Sequence, residues 1–308
     1  MSFSILIANY NNGAFFEACF DSILNQSHKD FEVIIVDDAS TDNSVALISE
    51  LIANDNRFKF YQNEKNKGCG YTKHKCATLA NTEICAFLDP DDALVSNAVE
   101  VMINAFKSNP NAVLISSKYY LTDIDLNVTG PSIHGEKIPE NESFLTYGKG
   151  AVTHFAAFKR AAYIQSKGID PTFKRAVDQD LYLKLEEQGT IAFVDEYLYY
   201  YRINDNSISA NNNIFKAQYW HNIAMEAAYK RRLENKTINV AQMQSFVNFK
   251  RDYSIRRIKR CVQLKRYFNK YYLLMDLLLF DLKYSNLMLD YKFKIRAIFE
   301  PNFPSSTK

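Results

Sequence analysis

Three clusters of acids stand out by type and spacing. Val36-Asp37-Asp38-Ala39-Ser40-Thr41-Asp42 sets two adjacent carboxylates directly behind an apolar run. Carboxylates placed there can accept hydrogen bonds from a nucleobase and a ribose. The plainer use is capping of the next helix, and Asp42 fits that use alone. Phe87-Leu88-Asp89-Pro90-Asp91-Asp92 puts three carboxylates within four residues behind another apolar run. Held at a rigid strand end they repel one another, and a hard divalent cation relieves the repulsion. Mg²⁺ or Mn²⁺ takes one or two such carboxylates and completes its shell with phosphate oxygens and water. A metal-and-nucleotide site is therefore expected here, against the plainer reading of a solvated acidic loop. Val177-Asp178-Gln179-Asp180-Leu181 opens an amphipathic helix. Acids in a first turn are favoured by the helix dipole whatever else they do.

These clusters need a scaffold that gathers strand ends. Over the first 120 residues short apolar runs alternate with helical periodicity. Strands are expected at 3–7, 31–36, 58–61, 84–88 and 112–116, and helices at about 14–25, 41–52, 71–80 and 96–107. That alternation predicts an α/β fold with a mostly parallel, doubly wound sheet flanked by helices. In such sheets ligands bind beyond the carboxyl ends of the strands, where Asp37, Asp38, Asp89, Asp91 and Asp92 fall. Residues 122–150 are polar, contain Pro131 and Pro139, and read as an irregular connection. A helix over 178–187, a strand over 191–194 and helices from Ile214 onward complete the pattern. Two domains are expected: 1–214, and a basic helical C-terminal appendage, 215–308.

The formal net charge of +2 hides a division. Residues 1–214 hold 18 Lys and Arg against 28 Asp and Glu, a charge of −10. Residues 215–308 hold 19 against 7, a charge of +12. Within 249–270 basic residues interleave with aromatic and aliphatic ones, and Leu273–Leu289 is more apolar. A helix of this kind can lie on an anionic bilayer; it can equally pack on protein and expose its lysines. The acidic first part argues against nucleic acid as partner. Five irregularly spaced cysteines, Cys19, Cys69, Cys76, Cys85 and Cys261, read as free thiols in a reducing compartment. No run approaches the ~20 apolar residues of a membrane-spanning helix, and the N-terminus lacks the form of a signal peptide. A cytoplasmic protein, soluble or peripheral at the inner face of the membrane, is expected. His154 and His221 read as packed side chains.

Taken together, the motifs resemble family 2 of the inverting glycosyltransferases, which has the GT-A fold. The resemblance runs over about residues 2–210. It rests on Ser4-Ile5-Leu6-Ile7-Ala8-Asn9-Tyr10-Asn11, Ser22-Ile23-Leu24-Asn25-Gln26-Ser27, the Val36–Asp42 segment and Asn66-Lys67-Gly68. It continues through Leu88-Asp89-Pro90-Asp91-Asp92, Asp178-Gln179-Asp180-Leu181 and Tyr201-Arg202-Ile203-Asn204-Asp205-Asn206-Ser207-Ile208-Ser209. By that resemblance Tyr10 stacks on the base of the donor and Asp38 hydrogen-bonds it, near Ala8. Lys73 faces the donor phosphates. Asp89 and Asp91 hold ribose and metal, with Asp92 beside Asp91 on the cation. Asp178 is the general base. The implied activity is metal-dependent transfer of a hexosyl or related group, using Mn²⁺ or Mg²⁺. The donor is a nucleotide sugar, read as a UDP-sugar, and the acceptor is saccharide or lipid-linked, for surface polysaccharide. Four positions depart from the family's usual text: Ala8, His74, Val177 and Asn204, the last standing where a histidine near the metal is common.

Two other readings compete. A nucleotidyltransferase also uses an acid pair and a metal, but normally carries a glycine-rich basic phosphate loop, which Asn11-Asn12-Gly13 is not. A non-catalytic nucleotide-sugar binding module would not need Asp178 together with Asp89, Asp91 and Asp92.

Overall fold

The computed structural model describes residues 1–148, 150–204, 214–263, 269 and 271–276. The N-terminal half alternates as the apolar pattern requires: β1 (Phe3–Asn9), α1 (Gly13–Leu24), β2 (Glu32–Asp37), α2 (Ser44–Ile52), β3 (Phe58–Gln62), α3 (Cys69–Leu79) and β4 (Ile84–Phe87). There follow β5 (Ala93–Leu94), α4 (Ala98–Ser108), β6 (Ala112–Thr122), β7 (Val128–Pro131), α5 (Phe144–Tyr147), β8 (Ala157–Lys159), α6 (Arg160–Gln165), α7 (Val177–Glu186) and β9 (Thr190–Arg202). Two long helices close the described chain, α8 (Ile214–Glu234) and α9 (Val240–Gln263).

Among the described residues the strands form one sheet in the order β3-β2-β1-β4-β8-β6-β9-β5, with β7 on the edge of β6. From β3 to β4 every pairing is parallel. Leu6, Ile7, Val33, Ile34 and Ile35 are wholly buried, because helices cover both faces of such a block. On α1 the buried positions Phe16, Cys19, Phe20 and Ile23 recur at helical spacing and seat it on the sheet. Beyond β4 the sheet is mixed. β8 runs antiparallel to both β4 and β6, while β6 and β9 are parallel. Residues 122–150 are thus more ordered than expected: they contain β7 and the one-turn α5, capped reciprocally by Ser143 and Thr146. The short strands β5, β7 and β8 carry too few residues for a period to show in sequence.

The chain divides into two compact units, Met1–Ala228 and Tyr229–Lys308. The division falls inside α8 rather than at residue 214. In the second unit Tyr229 packs on Phe246 with ring centroids 4.9 Å apart and its hydroxyl lies 2.7 Å from Ser245 Oγ. Tyr253 and Ile258 of α9 are buried there, while Arg256 and Arg257 are exposed. Parts of the expected amphipathic tail, 264–268, 270 and 277–289, lie outside the described residues, as do the side chain of Cys261 and residues 205–209 of the last motif. Among the described residues no helix is long and apolar enough to cross a membrane.

Candidate active site

The carboxyl ends of β1, β2 and β4 open on a cavity of about 1010 Å³ in the first unit. Ala8, Tyr10, Asp38, Lys73, Asp89, Asp91, Asp92 and Asp178 all line it. The topology explains the gathering: three parallel neighbours end on the same edge, so turns far apart in sequence meet there.

The first turn is tied to the second by side chains. Asn9 Nδ2 donates to Asp37 Oδ2 at 2.7 Å, and Ser40 donates to both Asp37 oxygens through its backbone N–H and its hydroxyl. Asn11 Oδ1 accepts from Thr41 N at 2.8 Å. Asp42 joins the starts of two helices, accepting from Ser44 N and Gly13 N. Asp37 is therefore wholly internal, and Tyr10, 44% exposed, is left projecting into the cavity mouth. Asp38 is only 3% exposed and accepts from Asn63 Nδ2, Lys67 N and Gly68 N at 2.7–2.9 Å. Its direct work in this structure is to hold the 66–68 loop against the cavity.

Lys73, on the second turn of α3, reaches between the acidic turn after β4 and α7. Its Nζ lies 3.0 Å from Asp89 Oδ1 and 3.5 Å from Asp178 Oδ1. Burial alone would push the ammonium down; Asp178 and Asp89 outweigh it and raise it well above its ordinary value. Burial likewise pushes the Asp89 carboxyl up, but Lys73 and then His154 hold it below the usual range. A close approach makes this bridge attainable. At Gly70 a Cβ would stand 2.2 Å from the backbone oxygen of Phe173. Only a glycine lets the start of α3 lie this near the segment that leads into α7. Asp180, by contrast, is 2% exposed and pairs with Lys184 at 2.5 Å, one turn along the helix.

Asp91 and Asp92 part company. Asp91 lines the cavity with its carboxyl pushed up to about 6 by burial and by the charge of Asp89. Asp92, expected on the metal, is turned to the protein. Its Oδ2 accepts from the Tyr199 hydroxyl at 2.6 Å and its Oδ1 from Arg202 N at 2.7 Å, and only 2% of the residue is exposed. It borders the cavity but acts as the anchor of the acidic turn. Arg202 completes the clamp: Nε donates to Asp91 O at 2.6 Å, Nη1 donates to Ile124 O, and the guanidinium lies 4.8 Å from the Phe15 ring centroid.

Among the described residues no group of three or more His, Cys, Asp and Glu side chains is placed to hold a metal ion. Mg²⁺ and Mn²⁺ do not require one, since one or two carboxylates plus phosphate oxygens suffice. Asp91, with Asp89 beside it, is a donor set of that hard-oxygen kind, and a cation there would offset the burial and the Asp89 charge that raise its carboxyl. Asp92 does not fit that role.

Other expected residues fall as follows. Asn204 lines the cavity. His74 is bound into the scaffold, its Nδ1 near Ile169 O and the Tyr163 hydroxyl. His154 is stacked on Tyr199 and Tyr201 at 5.1 Å each, the packed position expected of it. Sequence reasoning gave no role to Arg202, named only within the last motif, and missed Tyr199, Gly70 and Trp220, which lines the cavity and packs on the buried Phe173 with rings 5.1 Å apart. Within β9, Tyr199 and Tyr201 turn inward onto His154, while Tyr197 and Tyr200 lie against Tyr120 on the other face, so the alternation at 199–201 was the available signal.

Comparison with known proteins agrees with this geometry. Residues 4–166 match the family described as Glycosyl transferase family 2. Chondroitin synthase of Escherichia coli is 30% identical over 202 residues, 64% of this chain but 28% of that protein. The chain thus spans little more than a quarter of that relative's length. The putative teichuronic acid biosynthesis glycosyltransferase TuaG of Bacillus subtilis is 28% identical over 210 residues, 68% of this chain and 81% of TuaG. Among solved structures, S. aureus TarS 1–349 in complex with UDP-GlcNAc aligns with TM-score 0.59 at 17% identity, over 82% of this chain and 81% of that one. The likeness shows a shared fold, the GT-A fold expected from the motifs.

Proposed function

Because the chain belongs to glycosyl transferase family 2, we propose that it moves a sugar from a nucleoside-diphosphate sugar to a hydroxyl of a saccharide or lipid-linked acceptor, with inversion at the anomeric carbon. One observation carries this reading: Lys73 bridges Asp89, on the donor side, to Asp178, the side chain suited to be the base, within one cavity. A UDP-sugar is the donor that the likeness to a UDP-GlcNAc complex favours, and surface polysaccharide synthesis is the setting that the named relatives favour.

The residues divide the work. Tyr10 offers an exposed ring to the base of the donor. Asp38 fixes the loop that borders it. Asp89 and Asp91 face ribose and diphosphate, and they would hold a divalent cation. Such a cation, when bound, supplies neutralisation of the negative charge on the leaving diphosphate. Asp178, its side chain 40% exposed to the cavity, accepts the acceptor hydroxyl's proton as that oxygen forms its bond to the anomeric carbon. The bond to the diphosphate oxygen breaks with its electron pair on the diphosphate. An ordinary aspartate is ionised at neutral pH, and general-base assistance of this kind contributes about 10²–10⁴-fold. Lys73 holds the base and the donor acids in one frame, so that attack and departure are aligned.

The test is proton NMR of UDP-GlcNAc and related UDP-sugars incubated with the protein, saccharide acceptors and Mn²⁺ or Mg²⁺. A β-linked product from an α-linked donor is the expected result. A retained anomeric configuration would reject the inverting assignment, and nucleotidyl transfer from the UDP-sugar would show instead as release of sugar 1-phosphate.

A further inference from the structure

Among the described residues five cations line the cavity: Lys73, Lys174, Arg175, Arg202 and Lys216. Lys73 is engaged with Asp89 and Asp178, and Arg202 with the backbone oxygens of Asp91 and Ile124. Lys174 and Lys216 also line the cavity, and both are exposed. Lys174 lies four residues before Asp178, in the segment that leads into α7; Lys216 lies on the first turn of α8. The contact of Phe173 with Trp220 joins these two segments. Tyr219, 51% exposed, stands edge-on to Trp220 at 5.9 Å and lines the cavity with it. The side of the cavity that carries the base is therefore aromatic and positive, while the strand ends β1, β2 and β4 supply tyrosine and acids.

Resting on the glycosyltransferase reading above, we propose that the acceptor is an anionic glycan chain, one carrying carboxylate or phosphate groups, seated on Trp220 and Tyr219 with its charges toward Lys174 and Lys216. A chain whose hydroxyl meets Asp178 enters the same cavity that this wall lines. Aromatic rings present broad flat apolar area to the faces of sugar rings while keeping a polar tip in water. Lysine ammoniums on flexible stems bind anions as point charges and suit either carboxylate or phosphate. The negative charge of Asp178 and Asp89 would repel an anionic chain, and Lys174 and Lys216 offset that repulsion.

Trp220 is the sole tryptophan in the chain, so its emission reports occupancy of this wall. The full-length protein is titrated with four probes: a tetrasaccharide bearing two uronates, the same tetrasaccharide with its carboxylates reduced to alcohols, a glycerol-phosphate oligomer, and UDP. At least one of the two anionic chains is expected to bind about tenfold tighter than the reduced tetrasaccharide at low salt, and the tighter of the two names the anion. That advantage disappears at about 0.5 M salt, where exposed charges are screened within a few ångströms. The double variant Lys174→Gln, Lys216→Gln loses the advantage and keeps the weak neutral binding. Equal binding of neutral and anionic chains would overturn the proposal. So would a double variant in which UDP affinity falls as far as that for the anionic chain, because the lysines would then serve the donor. Failure of UDP and UDP-sugars to bind the unaltered protein would instead strike the donor reading, and the oligosaccharide comparison would still decide this one.

Discussion

Lys73 pairs with Asp178 across 105 residues of sequence, Nζ to Oδ1 at 3.5 Å, while the same ammonium holds Asp89 at 3.0 Å. The proposed base and an acid proposed to face the donor are thus positioned by one side chain from a third element. Replacing it with Lys73→Met leaves two carboxylates facing each other without their cation. Breaking a fully buried pair costs about 3–5 kcal/mol; both acids here are partly exposed, so a cost of about 1–3 kcal/mol is expected. In a double-mutant cycle with Asp178→Asn the losses should fall short of their sum. The pH window follows from the shifts. Asp89 is depressed, so its contribution is present above the ordinary carboxyl range and lost as pH falls through its lowered value. Lys73 is raised, so its contribution is present below the ordinary ammonium value and lost as pH climbs through the raised one. Urea denaturation should show a constant gap between parent and variant from about pH 5 to about pH 10, narrowing outside it.

Asp178→Asn keeps the size of the side chain and removes the proton acceptor. Transfer should drop by about 10²–10⁴-fold, while UDP affinity changes by less than about threefold. Single-turnover kinetics beside a fluorescence titration separates the two. A folded variant that retains turnover would reject this residue as base.

Gly70→Ala tests the close approach. The new methyl would stand 2.2 Å from Phe173 O, against backbone that cannot swing aside. Overpacking of this sort costs about 1–3 kcal/mol. The activity loss should exceed what that stability change explains, because a shift of α3 against the 173–178 segment parts Lys73 from Asp178. Thermal melts and kcat measured on the same preparation provide the check.

Asp91 carries the opposite expectation for stability. Its carboxyl sits at about 6, so ionisation is resisted in the folded chain. The sign follows: a raised carboxyl destabilises above its folded value, and the penalty fades as pH falls through 6 toward the ordinary range. Asp91→Asn should therefore stabilise the ligand-free protein at pH 7, by an amount on the order of 2 kcal/mol, with no gain below about pH 4. The same variant should lose transfer and any Mn²⁺-dependent rise in Tm with UDP. Melting curves at pH 4 and pH 7 decide it.

Tyr199→Phe removes the hydroxyl that donates to Asp92 and accepts from Asp89 N at 3.3 Å. Loss of a donor to a buried carboxylate costs about 1–3 kcal/mol. If the clamp positions Asp91, the variant should also raise the Mn²⁺ concentration needed for half-maximal transfer, which a merely structural role would leave unmoved.

Much of this was legible in the chain itself. Apolar runs of strand length followed by acids determined β1, β2 and β4 and where they end, because a strand buried on both faces leaves no other reading of Ile5–Ile7 or Val33–Val36. Which acids could meet was legible too, since parallel strands deliver their carboxyl ends to one edge. The direction of each side chain was not. Asp91 and Asp92 are adjacent and chemically identical, yet one faces the cavity and the other the Tyr199 hydroxyl, a partner 107 residues away in β9. Lys73 became the link between Asp89 and Asp178 only because Gly70 admits a carbonyl from a segment a hundred residues later. Local sequence sets period, caps and strand ends through near-neighbour forces. Long-range packing decides which charge finds which partner, and that is where the site's chemistry is settled.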